Sequence, residues 1–156
     1  QGAEMYRSIL IQVEDFSLDA ALAELKMQSG LAGGLCFFTG AVRNSNLDEA
    51  VGGLYLEHYP GMTERQLDQI VDEAARRWTL HGAMVVHRIG HLKPGDNIVL
   101  VAVSASHRGE AFDACEMIMD YLKTNATFWK KESIPDGYRW VEARSSDEAK
   151  ATAWDA

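Results

Sequence analysis

Residues 97 to 105, NIVLVAVSA, are apolar on both faces of the alternation that a strand imposes. A segment of this kind is stable only where both faces are covered, so it is expected to run as a central strand with packing above and below. The rest of the fold must supply flanking strands and helices for both sides. At 156 residues the chain is long enough for one such core and too short for two.

The covering elements can be read in order. Residues 8 to 14 (SILIQVE) place Ile9, Ile11 and Val13 on one face and read as a strand. Ser17 suits the N-cap of a helix through about Met27, with Leu18, Ala21, Leu22 and Leu25 at helical spacing. Gly30, Gly33 and Gly34 lack the spacing of a phosphate-binding loop and read as punctuation. Residues 34 to 42 (GLCFFTGAV) look like a buried strand ending at Arg43. The polar, aperiodic segment 43 to 53 is expected to be a mobile loop, a common place for function. A strand over 54 to 59 precedes a Pro60-Gly61 turn. Thr63 with Gln66 makes a capping box, and Met62 with Leu67 a hydrophobic staple, for a helix from Glu64 to Trp78. Strands 83 to 90 and 97 to 105 flank a Lys93-Pro94-Gly95-Asp96 turn and are expected to pair as a hairpin. After the next helix come a short extended piece around Lys131 to Ile134, a Pro135-Asp136-Gly137 turn and a strand from Tyr138 to Ala143. The order β-α-β-β-α-β-β-α-β-β implies an α+β fold with a mainly antiparallel sheet. Residues 1 to 4 read as a remnant ahead of Met5, 5 to 144 as a single domain, and 145 to 156 as a frayed or helical tail.

A net charge of −8 argues against general nucleic-acid binding, though not against a basic pocket within an acidic envelope. No apolar run approaches the roughly 20 residues of a membrane helix, and no secretory signal is visible. Two cysteines make neither a disulfide framework nor a metal site, and a cytoplasmic location is expected. No metal or cofactor is expected.

Chemistry concentrates in residues 106 to 131, where a His-Arg pair opens an amphipathic helix that leads into a lysine-aromatic-lysine cluster. Phe112, Cys115, Ile118, Met119 and Leu122 define its core face at helical spacing. At about 100° per residue, Lys123 falls roughly 20° from the direction of Phe112, at the edge of the apolar stripe. Two readings stay open: a partly desolvated, functional amine, or a snorkelling lysine paired with Asp120 or Glu116. Lys130 points the same way if the helix continues, which Thr124, Asn125 and Thr127 disfavour. Phe128 and Trp129 either pack in the core or wall a flat heterocycle. His107 and Arg108, with helix N-terminal amides, make either a phosphate or carboxylate site or a simple cap with a surface ion pair. His58, His81, His87 and His91 read as structural or surface residues, and Cys36 and Cys115 as inert buried hydrophobes. Neither a G-x-S-x-G motif nor a Walker loop is present.

The strings FTGAVRN (38 to 44), LEHYPGMTE (56 to 64), VVHRIGHLKPGD (85 to 96), VSASHR (103 to 108), MDYLKTNATFWKKE (119 to 132) and RWVEAR (139 to 144) occur in an order that resembles the large, catalytic subunit of molybdopterin synthase. The resemblance spans about residues 8 to 144. It implies an α/β hammerhead-type fold with an added antiparallel subdomain. It also implies a homodimer in which each protomer binds a small ubiquitin-like sulfur-carrier subunit, a heterotetramer in all. The carrier's C-terminal thiocarboxylate would enter a pocket and give sulfur to cyclic pyranopterin monophosphate, forming the molybdopterin dithiolene. Carried over by motif, Lys123 of DYLK and Lys130 of FWK are the expected catalytic residues. Arg43, His107 and Arg108, and more weakly Arg144, fall at substrate-binding positions, in a pocket expected near the dimer interface. Between the lysines the family often has an Arg and a Pro, whereas this chain has Asn125 and Thr127, and the lost charge is expected to weaken binding there. A non-catalytic module holding a ubiquitin-like tail, and a different small enzyme built around Lys123, are the alternative readings.

Overall fold

The computed structural model describes residues 5–46, 49–50, 52–141 and 145–155. In chain order its elements are β1 (Tyr6–Gln12), α1 (Leu18–Gln28), β2 (Gly34–Ala41), β3 (Ser45–Asn46), β4 (Glu49–Ala50), β5 (Gly53–His58), α2 (Met62–Arg77), β6 (Leu80–Arg88), β7 (Gly90–Leu92), β8 (Asn97–Ala105), α3 (Arg108–Asn125), β9 (Phe128–Ile134), β10 (Gly137–Trp140) and α4 (Ser145–Ala153). The architecture is α+β, and no described helix is long and apolar enough to cross a membrane.

The doubly apolar segment is β8, and it lies inside a four-stranded sheet of order β1-β6-β8-β2. It pairs antiparallel with both neighbours, while β1 runs parallel to β6. Its two faces meet different helices. Val99, Val101 and Val103 join Leu67, Val71 and Ile118 in the larger core beneath α2 and α3. Leu100 and Ala102 join Leu25, Met84 and Val86 in a second core beneath α1. Burying each such Val or Leu contributes about 1.5–3 kcal/mol, so both faces of one strand anchor separate layers.

A second sheet of order β10-β9-β5-β7 is antiparallel throughout. It corrects the expected simple hairpin. Strands β6 and β8 do pair, but the chain between them leaves the first sheet at Gly90 (φ +90°), and β7 pairs with β5. The Lys93 to Asp96 turn, closed by Lys93 N–H donating to the Asp96 carboxylate at 2.8 Å, then returns the chain. Where an aperiodic loop is expected over 43 to 53, a short ribbon of β3 and β4 forms, too brief for periodicity to register.

The start of α2 also differs from expectation. Its N-cap is Gly61 (φ +85°), whose N–H donates to the Glu64 carboxylate at 2.7 Å. Thr63, inside the first turn, is fully buried. Its Oγ1 accepts from Tyr59 N–H at 2.9 Å and donates to the Thr127 carbonyl at 2.8 Å. Gln66 takes the other side of the same residue: its Oε1 accepts from Thr127 N–H at 2.8 Å and its Nε2 donates to Thr127 Oγ1 at 3.1 Å. The pair read as a cap therefore ties α2 to the joint between α3 and β9.

The C-terminal segment forms α4, and the turn after it docks on α3. Trp154 Nε1 donates to Asp120 at 2.7 Å, Tyr121 Oη donates to Asp155 at 2.5 Å, and Trp154 packs edge-on against Trp78. Replacing Thr63 by Val keeps the shape but leaves the Thr127 carbonyl and Tyr59 N–H without this partner. Urea unfolding is expected to show a loss of about 1–3 kcal/mol.

Candidate active site

A cavity of about 580 Å³ lies where the end of α3, the segment after β2, and the inward face of β9 converge. Its polar lining includes Arg43, His87, Lys123, Lys130 and Glu132, and its apolar lining Phe38, Met119, Leu122 and Phe128. The local sequence explains the convergence. Helix α3 ends at Asn125 and Ala126 is extended, so the chain enters β9 with Thr127 held by α2. Strand alternation then sends Phe128, Lys130 and Glu132 into the cavity. Lys131 turns the other way, its ammonium 5.7 Å from the Tyr138 ring and 4.9 Å from the Trp140 ring.

Of the residues singled out by sequence, the structure brings together Arg43, Lys123 and Lys130. Lys130 is not a continuation of the helix but a strand residue. Lys123 is exposed, so the desolvated edge position expected of it is wrong. The error lies in its reference direction. Phe112, taken as a core residue, is 60% exposed, and the buried face of α3 instead comprises Ala111, Ala114, Cys115, Met117, Ile118, Met119, Tyr121 and Leu122. Aligning with Phe112 therefore means facing outward. Lys123 still borders the cavity because it stands in the last turn, where the cavity begins. Arg43 is exposed and follows Val42, whose N–H donates to Asp96 O and whose carbonyl accepts from Gly95 N–H, both at 2.9 Å.

His107 and Arg108 stand apart from these three. Both are exposed at the start of α3. At a rise of 1.5 Å per residue, His107 is about 24 Å from Lys123 along the helix. Arg144 lies outside the described residues.

Burial, then repulsion from Lys123 and Arg43, pushes the Lys130 ammonium down to about 8, with Asp147 opposing. His87, 2% exposed, is pushed down to about 3, chiefly by burial. Its ring stacks on Phe128 at 3.8 Å and 17°. Glu132, 5% exposed, accepts from Arg139 Nε at 2.9 Å. Cys115 is buried, with its thiol pushed up by burial and its Sγ 3.7 Å from Val101 O, no setting for a nucleophile. Among the described residues no group of three or more His, Cys, Asp or Glu is placed to hold a metal.

His87 and Glu132 are site residues that sequence reading missed. A signal existed for His87, which follows Ala83 and Val85 on the helix-facing row of β6, a polar side chain in an apolar series. Chemically, the arrangement offers cations to an anion and one amine able to exchange a proton near neutral pH.

The depressed Lys130 carries a stability consequence. Between pH 8 and its ordinary value of 10.5 the unfolded chain binds more protons at this site than the folded one, so stability rises with pH across that window. Lys130→Met is expected to stabilise the protein at pH 7 by on the order of 2 kcal/mol and to flatten that rise. Chemical denaturation from pH 7 to 10.5 measures both.

The family model described as MoaE protein matches residues 11–125. The molybdopterin synthase catalytic subunit of Ralstonia nicotianae is 52% identical over 147 residues, covering 94% of this chain and 84% of that protein. The solved molybdopterin biosynthesis MoaE protein from Burkholderia ambifaria MC40-6 superposes with a TM-score of 0.83 at 50% identity, covering 96% of this chain and 99% of that one. A complex of subunits 1 and 2 of molybdopterin-converting factor from Helicobacter pylori matches with a TM-score of 0.70 at 20% identity, covering 89% and 92%, a likeness of fold. Sequence and fold agree that the chain belongs to the MoaE family, the catalytic subunits of molybdopterin synthase, which are sulfurtransferases of molybdenum-cofactor biosynthesis.

Proposed function

We propose that the cavity at the end of α3 moves sulfur from the C-terminal thiocarboxylate of a small ubiquitin-like carrier subunit to cyclic pyranopterin monophosphate. The observation that carries this reading is the convergence of Lys123, Lys130 and Arg43 on one cavity in a chain of net charge −8. Both reactants are anions, and an acidic protein has to gather positive charge locally to hold them. The partner in this reading is a small subunit, in keeping with a fold shared with the Helicobacter pylori complex of subunits 1 and 2 of molybdopterin-converting factor, and the reaction belongs to the cytoplasm.

The two lysines divide the work by environment. Lys123, exposed at the open side of the cavity, offers a full charge to the incoming thiocarboxylate and to charge developing on its carbon. Lys130, partly buried and pushed down to about 8, exchanges protons close to neutral pH. A lysine so poised favours catalysis over a module that only holds the tail. The sulfur leaves the tail, whose end becomes a carboxylate with oxygen from water, so the chain's own thiols are not consumed.

The separation of about 24 Å between His107 and Lys123 on one helix bears on the remaining cations. In a homodimer the second protomer's His107 and Arg108 can complete the pocket and hold the substrate phosphate, a role in which two donors with helix N-terminal amides are effective.

Lys123→Ala is expected to abolish molybdopterin formation while leaving the dimer intact, measured as turnover of the pterin with thiocarboxylated carrier. Mixing Lys123→Ala and Arg108→Ala chains is then expected to restore about a quarter of wild-type turnover, because random pairing gives half heterodimers with one intact site each. No recovery would place both residues in the same protomer's site. The Cys36→Ser, Cys115→Ser double variant is expected to transfer sulfur at near wild-type rate. A folded but inactive double variant would overturn the carrier-borne sulfur account.

A further inference from the structure

His87 is a polar residue in a place where packing alone asks for a hydrophobe. Its row on β6 continues Ala83 and Val85 beneath α2 and α3, and it pairs in register with Val99 of β8. Past the end of α3 this row reaches the second sheet, and the His87 ring lies flat against Phe128 at 3.8 Å. The stack is a direct contact between the two sheets. It sets the position of β9 at the residue two before Lys130, on the same cavity-facing side.

The hydrogen bonding fixes the tautomer. His87 Nδ1 lies 2.8 Å from the Arg88 carbonyl, which can only accept, so Nδ1 carries the proton. Burial, reinforced by Lys130, Lys123 and His58, keeps the ring uncharged. Nε2 is therefore a bare acceptor. Among the described residues it has no hydrogen-bond partner, and no described side-chain polar atom is both fully buried and unpaired, so Nε2 opens onto the cavity. The neighbouring carboxylate, Glu132, already accepts from Arg139.

We propose that His87 is a positioning residue for the sulfur-transfer site: its open Nε2 is the acceptor to which the Lys130 ammonium, which lines the same cavity and is not bonded to Nε2 in this structure, turns when the thiocarboxylate tail binds. The inference rests on the sulfur-transfer reading of the cavity. A second ammonium or a carboxylate at this position would do different work. The former would repel Lys130, and the latter would hold it as a salt bridge and take it out of proton exchange. A neutral acceptor orients the lysine without either effect. Among the described residues, the other charged groups at this cavity are Lys123 from α3, Arg43 after β2, Asp147 from α4 and Glu132 of β9.

The test combines a spectroscopic and a kinetic readout on the full chain. Nitrogen-15 spectra of the wild-type imidazole are expected to show the neutral Nδ1–H tautomer, unchanged from pH 5 to 9. His87→Phe keeps a flat ring against Phe128 and removes the acceptor. It is expected to move the Lys130 midpoint, read by carbon-13 NMR with the carrier bound, down by about one pH unit. It is also expected to lower kcat about tenfold with the carrier KM unchanged. His87→Gln, which returns an acceptor near the Nε2 position, is expected to recover both. An Nε2–H tautomer, an imidazole titrating in the range scanned, or a folded His87→Phe protein with an unmoved Lys130 midpoint would each overturn the assignment. So would a loss confined to the pterin KM. If His87→Phe does not fold, the wild-type tautomer and the Lys130 midpoint in His87→Gln decide, a displaced midpoint in the latter counting against it. Absence of turnover by the wild-type protein would strike the sulfur-transfer reading, while the lysine midpoint would still judge His87.

Discussion

The backbone of Thr127 is gripped at both of its polar groups by the first two turns of α2, with Gln66 taking the N–H and Thr63 the carbonyl. Much of the site depends on that grip. The carbonyls at the end of α3 cannot all be satisfied within the helix, and the chain must change from helical to extended geometry within two residues. Holding Thr127 from a third element makes that change a fixed corner. Lys123 stands on the helical side of the corner and Lys130 on the strand side, so two cations seven residues apart face one cavity. Continuation of α3 would have left them two turns apart along one surface.

The electrostatics follow from this placement. An isolated buried ammonium is costly, and the cost grows with each like charge nearby. The cavity meets it by grading exposure: Arg43 and Lys123 keep contact with solvent, and only Lys130 is drawn inward. Asp147 offsets part of that cost from α4, and His87 adds no charge at the most enclosed point. The positive charge needed for two anions is thus spread across several elements, with one lysine tuned for proton exchange.

Much of the fold could be read from the sequence because its signals are local and strong. The two apolar faces of 97 to 105 made β8 central, the spacing from Leu18 to Leu25 gave α1, and the Lys93 to Asp96 turn is where expected. What escaped was tertiary. Nothing in the period of residues 83 to 105 says that Gly90 hands the chain to another sheet, because β7 finds its partner in β5. Thr63 and Gln66 have capping-box spacing, yet their side chains reach residue 127, and only three-dimensional packing decides between those uses. For the site, motif resemblance picked out Arg43, Lys123 and Lys130, which do meet. Periodicity misjudged the burial of Lys123 because Phe112, a large apolar residue, faces outward.

The departure between the two lysines takes on a different meaning in this light. Where the resemblance leads to the expectation of a proline, this chain has Thr127. A proline there would have no N–H to give Gln66 and no hydroxyl to receive its amide, and would restrict the corner through its own ring instead. Thr127 supplies both groups and uses both. The same corner is then held by hydrogen bonds from α2 in place of ring stiffness. The geometry that brings Lys123 and Lys130 together can thus be kept by either device. Asn125 itself stands outside the cavity lining, whereas Arg43, Lys123 and Lys130 all lie within it.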